Sequence, residues 1–501
     1  MGDHVASTDA PAAPATGRDR LDPAVLRVAG VVVLGTFMSV LDTTVVNIAL
    51  QNLTLRFSTS FDTIQWVVTG YSLALAMVIP ITGWAAMRFG TKRLYLMAIV
   101  AFLFGSVLSG LAWNVESLIV FRVLQGMGGG VLMPAGMIIV TRAAGPQRLG
   151  RVMSILGVPM LLGPVGGPIL GGWLVDVSSW RWIFFINVPI GIVALLFASR
   201  VLPKDTTHAG NRFDFLGMLM LSPGLALLIF GLSRIPSVGG VGDLSVWLPS
   251  LVGLVCIVGF LLRAGRVANP LLDLKLFRNR AFTIGVLTST FFTIAFFGSG
   301  LVFPTYFLLV RGNSVLKAGL LLAPNGIGAM LTMPFAGRLT DRLGARAVVF
   351  PGLLVIAAGT VVYTMIGADT PYWELLTALF VMGMGMGATM MPISAAAMVT
   401  MQPHQIPSAA AAMNVVQRIA GAIGSALMST VLAASLANEF NVPTNHGQLA
   451  ATAALHGPNA RHAASLAANA FATTFIWGTV LMLICLVPAL FLPARRPQPR
   501  S

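Results

Sequence analysis

The chain has 501 residues, of which 56% are hydrophobic and 9% charged, and its formal net charge is +15. A soluble domain carries about 25% charged residues, so a fold of this size has too few here to build a water-facing surface, and lipid must cover most of it. Nucleic-acid binding is excluded as the reason for the basic excess, because the Lys and Arg residues sit in short breaks between apolar runs. Cys256 and Cys485 each fall inside an apolar run, as inert buried thiols do.

Residues 1–27 are polar and rich in Ala and Pro, which predicts a disordered N-terminal segment. The first apolar run is too long for a signal-peptide core and lacks a cleavage site, so it reads as a retained span. Runs of about 20 apolar residues predict an all-α polytopic membrane protein of fourteen spans, at 28–50, 64–86, 94–113, 116–140, 150–174, 182–201, 215–235, 246–264, 282–309, 318–339, 347–367, 373–399, 408–433 and 472–493. Of the 31 Lys and Arg residues, 23 fall in alternate segments on the side of the N-terminus, six on the other side, and Arg122 and Arg418 within spans. That asymmetry predicts that both termini, including the tail 494–501, are cytoplasmic. The longest outer loop, 434–471, carries His446, His456 and His462 at spacings that fit no compact metal site, and a short interfacial helix is expected there.

A repeat spans the chain. The loop after span 2 runs from Gly83 through Arg88 to Gly90, Lys92 and Arg93, and the loop after span 10 runs from Gly337 through Asp341 and Arg342 to Gly344 and Arg346. Both fit G-x-x-x-x-R-x-G followed by basic residues, 254 positions and eight spans apart. A weaker echo pairs Gly129 to Pro134 in span 4 with Gly387 to Pro392 in span 12. The expected organisation is a six-helix bundle at 28–201, two inserted helices at 202–270 and a second six-helix bundle at 271–493, with the substrate path between the bundles.

These motifs resemble those of the major facilitator superfamily, and specifically its fourteen-span drug:proton antiporters of the EmrB/QacA type. The second loop meets that superfamily's cytoplasmic signature at Gly337, Leu339, Asp341, Arg342, Gly344 and Arg346. The first departs from it, with Met87 where the superfamily has Asp. Leu41 to Leu50 resembles the family's first-span sequence; Leu118, Arg122, Gln125, Gly126 and Gly128 resemble its fourth; Gly163, Gly167, Pro168, Gly171 and Gly172 resemble the antiporter motif of its fifth. The segment Asn269 to Phe277 before span 9 is similar as well. The resemblance implies a major facilitator fold and proton-coupled export of small amphipathic or lipophilic compounds by alternating access, with no cofactor beyond the proton gradient. It implies a bacterial cytoplasmic membrane, and a periplasmic adaptor as a partner where the source has two membranes. Export of one specific lipid, siderophore or metabolite, and proton-coupled import of a nutrient, stay open beside it.

Asp42 is the one acidic residue deep inside a predicted span, and such a residue is a functional candidate by default. It lies eight residues from the outer end of span 1, and Arg122 lies six residues from the outer start of span 4. At 1.5 Å per residue the two stand within roughly 3 Å of one depth. Burial favours the neutral acid and a guanidinium nearby favours the ionised one, so a site balanced between them could exchange a proton. A structural ion pair joining spans 1 and 4 is the other reading. Asn47, Gln65, Tyr71 and Gln125 in the first half, and Asn325, Asn414, Gln417 and Arg418 in the second, could bond substrate or join helices. The glycines of span 5 recur at i, i+4 and i+8, which lets another helix approach closely. Met382, Met384, Met386, Met390 and Met391 are expected as lipid-facing filler, with a promiscuous pocket of flexible thioethers as the other reading, and Trp173, Trp180, Trp182, Phe184 and Phe185 are expected as an interfacial belt. No Lys is followed by Ser or Thr, so the chain has no phosphate loop for ATP. No histidine falls within a span and the acidic residues do not cluster, which points away from an enzyme.

Overall fold

The computed structural model describes residues 22–203, 213–238, 242–457 and 459–494. The predicted N-terminal segment up to residue 21 and the tail from residue 495 lie outside the described residues. Among the described residues eighteen α-helices follow one another. They are α1 (Pro23–Phe57), α2 (Phe61–Val78), α3 (Ile81–Phe89), α4 (Thr91–Gly110), α5 (Val115–Ala144), α6 (Leu149–Val177), α7 (Trp182–Phe185), α8 (Asn187–Val201) and α9 (Phe215–Val238), then α10 (Leu244–Ala264), α11 (Arg280–Leu309), α12 (Val315–Leu321), α13 (Ala323–Leu343), α14 (Arg346–Tyr363), α15 (Tyr372–Met398), α16 (Ile406–Glu439), α17 (Gly447–Leu455) and α18 (Ala460–Ala489).

Local signals start and bend these helices. Asp22 accepts from the backbone of Ala24 to cap α1, and Asn114 and Ser117 form a capping box at α5. Pro80 lacks a backbone N–H and so withholds one helical hydrogen bond, and α2 and α3 meet there at 57°. Among the described residues twelve helical segments are long and apolar enough to cross a membrane, and the bent pair α2–α3 makes a thirteenth. The last one starts at Ala460, twelve residues before the predicted 472, and α16 runs on to Glu439. Between them the short helix expected in the long loop is α17.

Packing repeats as the sequence does. In the first half α1 packs on α6 and α8, and α5 on α2 and α4, with α4 also on α8. In the second half α11 packs on α16 and α18, and α15 on α13 and α14, with α14 also on α18. Each pairing reappears eight predicted spans later. The halves meet reciprocally, α6 against α13 and α15, α16 against α3 and α5. The inserted α9 and α10 pack on each other, and α9 touches both α2 and α16, so it lies along one seam between the halves. Trp66 of α2 stacks on Phe230 of α9 with centroids 5.4 Å apart. At the other end of the pair Asp214 accepts from Arg263 at 2.6 Å and from the backbone of Leu271 at 3.2 Å, fastening both inserted helices to the following loop.

Candidate functional site

A closed polar network lies inside the first half. Asp42, on α1, is 1% exposed, and Arg122 and Gln125, on α5, are 0% exposed. Nη1 of Arg122 donates to Oδ2 of Asp42 at 2.6 Å and to Oε1 of Gln125 at 2.7 Å. Nε2 of Gln125 donates to Oδ1 of Asp42 at 2.8 Å, and Nδ2 of Asn187 donates to the same oxygen at 2.9 Å. Asn187 in turn reaches Ser106 on α4, whose hydroxyl donates to the carbonyl of Phe184. Side chains of α5 and α8 thus converge on one carboxylate of α1, and α4 joins through Asn187. Nε of Arg122 donates to the carbonyl of Val67, and its guanidinium sits 4.1 Å from the ring centroid of Tyr71, a cation–π contact. Three charge-assisted or amide donors on one buried carboxylate suit its ionised form. Nη2 of Arg122 and Oδ1 of Asn187 have no partner, so the network is one donor and one acceptor short of saturation.

The other polar candidates are placed differently. Gln125, expected as a substrate-path residue, is committed to Asp42. Asn47 and Gln65 are exposed, and neither side chain has a hydrogen-bond partner among the described residues. Nδ2 of Asn325 donates to the carbonyl of Leu379 at 3.2 Å, joining α13 to α15. Gln417 donates to Ser289 at 2.9 Å, joining α16 to α11. Asn414 donates to the carbonyl of Ala410 at 2.9 Å and lies 4.0 Å from Sδ of Met137 in the other half. Arg418 is exposed.

The repeated loops form matching turns and matching contacts. Gly90 and Gly344 have φ of 89° and 88°, the left-handed region that favours glycine. A Cβ at Gly337 would lie 2.8 Å from the carbonyl of Gly150, the second residue of α6. One at Gly83 would lie 3.1 Å from the carbonyl of Pro407, the second residue of α16. Chemistry separates the copies. Asp341 accepts from the backbone of Gly150 at 3.0 Å, and from Arg151 through its backbone at 3.3 Å and its Nε at 3.1 Å. In the first copy Met87 replaces the acid, and Pro407 and Ser408 stand where Gly150 and Arg151 do. Proline has no N–H to give. The acid and two of the three donors, one backbone N–H and the guanidinium, are missing together, and among the described residues it is the second copy that carries the Asp341–Arg151 ion pair. Arg88, Arg342 and Arg346 around the two turns are exposed.

A model of the Major Facilitator Superfamily matches residues 32–425. The chain belongs to the major facilitator superfamily. A multidrug resistance protein B homolog of Mycobacterium tuberculosis is 42% identical over 96% of this chain and 92% of its own length. The multidrug export protein EmrB of Escherichia coli is 29% identical over 79% of this chain and 78% of its own. Among solved structures, the human organic anion transporter MFSD10 superposes with a TM-score of 0.61 over 92% of this chain and all of its own, at 14% identity. The proton:xylose symporter XylE gives 0.59 over 92% and 95%, also at 14%. At that identity the structures share the fold of the superfamily.

Within this superfamily fold the span-5 glycines face span 1. A Cβ at Gly163 or Gly167 would run into Val40 or Thr44 of α1, and one at Gly171 would lie 3.1 Å from Val45, whereas Gly172 has nothing within 4 Å. The side chain of Pro168 lies outside the described residues. Two expectations hold only in part. Met382, Met386 and Met391 are buried, and Met391 packs with Met333 against Gly157 of α6 across the halves; of the five only Met384 is exposed, at 41%. They fill helix contacts because an unbranched thioether fits the gaps that glycine-rich helices leave. Trp180 and Phe184 are buried at 4% and 0% and pack edge to face, while Trp173 and Trp182 remain exposed. Asn187 and Ser106 escaped the sequence reading. The signal was there for Asn187: it lies five residues from the outer start of span 6, the depth already argued for Arg122.

Proposed function

We propose that this chain is a proton-coupled exporter of small amphipathic or lipophilic compounds, working by alternating access, with Asp42 as the proton carrier. The observation that carries this reading is the sealed network of Asp42, Arg122, Gln125 and Asn187 in a membrane-embedded bundle. A proton on Asp42 removes the counter-ion of Arg122. An uncompensated buried charge costs about 3–5 kcal/mol, which is enough to drive rearrangement of the helices that hold it. A charge crossing 100 mV yields about 2.3 kcal/mol, so the gradient and the rearrangement are of one scale. Relatives named for multidrug resistance and export favour the outward direction.

In this reading α6, 29 residues long, is the span that completes fourteen. Bundles at 28–201 and 271–493 flank an inserted pair at 202–270, in keeping with the repeated helix pairings. The Arg-rich end that carries the Asp341 latch faces the cytoplasm of a bacterial cell, as do both termini, because loop Lys and Arg are retained on that side.

The test is Asp42→Asn in an efflux-deficient host, read as drug accumulation and as substrate-driven proton movement in vesicles. Transport should fall by at least about tenfold, the scale of 1.4 kcal/mol, while substrate binding persists. Unchanged accumulation together with unchanged proton movement would sink the assignment.

A further inference from the structure

The buried acid cannot itself touch a substrate in this conformation, since Asp42, Arg122 and Gln125 are sealed and the Tyr71 ring lies against Arg122. A charge does stand between the halves. Along α16 one stripe faces the first half: Pro407 and Ala411 meet Gly83, and Asn414 meets Met137. Residues four apart share a helix face, and four residues beyond Asn414 comes Arg418, whose side chain is exposed. Arg418 lies 11 residues from Pro407, and Tyr71 lies 12 residues from Gly83 on the facing span. Arg418 therefore stands roughly 16 Å along α16 from that helix contact, about mid-depth in a core of roughly 30 Å, and Tyr71 is reached past the 57° bend between α3 and α2. The two are close enough to interact electrostatically.

Among the described residues Arg418 has neither a hydrogen bond nor a carboxylate partner. Every described acidic residue other than Asp42 lies at a helix end or in a loop. Asn414 and Gln417 beside it are neutral and already bonded within their own half. A guanidinium at this depth is costly without an anion to accompany it. Its planar fork matches carboxylate, sulfonate and phosphate oxygens.

We propose that Arg418 receives the anionic group of an amphipathic substrate at mid-membrane, on the first-half-facing stripe of α16. This rests on the exporter reading and narrows its substrates to acidic amphiphiles. The proton and the substrate anion then occupy different places, Asp42 behind Tyr71 and Arg418 in front of it, with Arg122 and Tyr71 between them. Coupling runs through that contact and needs no competition for a single carboxylate.

Binding tests this without transport. Full-length protein in phosphatidylcholine nanodiscs is titrated with fluorescein, anionic at neutral pH, and with rhodamine 6G, cationic on the same xanthene core, by fluorescence polarisation. Fluorescein should bind the native chain, Arg418→Gln should weaken it at least about tenfold, and Arg418→Lys, which keeps the charge and loses the fork, should weaken it less. Rhodamine 6G binding should change by under about twofold in both variants. If an anionic lipid is the natural occupant, adding phosphatidylglycerol weakens fluorescein binding in the native chain and not in Arg418→Gln. No fluorescein binding by the native chain, unchanged binding in Arg418→Gln, or equal loss of both dyes would overturn the proposal. The proton-coupling reading is tested on its own readout, substrate-driven proton movement in Asp42→Asn, so its failure and the failure of fluorescein binding at Arg418 are distinguishable.

Discussion

Without the amide of Asn187, Asp42 would keep two donors instead of three, inside a site that excludes water. Leaving a buried charged acceptor underbonded costs about 1–3 kcal/mol. Asn187→Ala should therefore lower substrate-driven proton uptake by about fivefold to a hundredfold on that scale, with the chain still inserted; proton movement equal to the native rate would make the amide incidental. At this scale the sequence was informative about the acid and its arginine, because an intramembrane charge is rare and depth follows from residue count. It was silent on Gln125, which reads as one more polar residue until Arg122 and Asp42 are seen on either side of it. Arg418 was visible as an intramembrane cation, and its lack of a partner required the surrounding side chains.

Among the elements, α6 offers a comparison within one motif. Gly167 faces Thr44 of α1 with no room for a Cβ, whereas Gly172 faces open space. Gly167→Val forces α1 and α6 apart and should cost on the order of 1–3 kcal/mol, read as a lower midpoint of thermal unfolding in detergent. Gly172→Ala should leave that midpoint within experimental error, and a similar loss in both variants would refute the packing account. The period of the glycines, four residues, already placed them on one helix face. Which helix they face is a matter of packing, and so is the fate of the methionines in α15. Apolarity told that these residues avoid water, and lipid and protein interior are equally dry.

For the whole molecule, the asymmetry of the two latches decides how the Arg-rich end opens. Asp341→Asn removes the charge that Arg151 and the α6 N-terminus share, and should raise the labelling rate of Ser154→Cys by a membrane-impermeant thiol reagent from that side by severalfold, about 1 kcal/mol of closure. Met87→Asp alone should not slow labelling of a cysteine at Ala411, since Pro407 has no N–H and Ser408 no guanidinium to offer; Met87→Asp with Ser408→Arg should. Slowing by Met87→Asp alone would refute this account of the missing donors. The membrane-spanning character, the approximate apolar helices and the repeated helix pairings followed from the sequence by itself, because transfer into lipid is decided segment by segment and a repeat is written in residue order. The meeting of Asp42 with Arg122 and Asn187, which stand 80 and 145 positions away, and the seam along which α9 lies were decided only in the tertiary structure. A contact between distant segments depends on the rotation and tilt of each helix against its neighbours, and those are set by side-chain packing that no single segment contains.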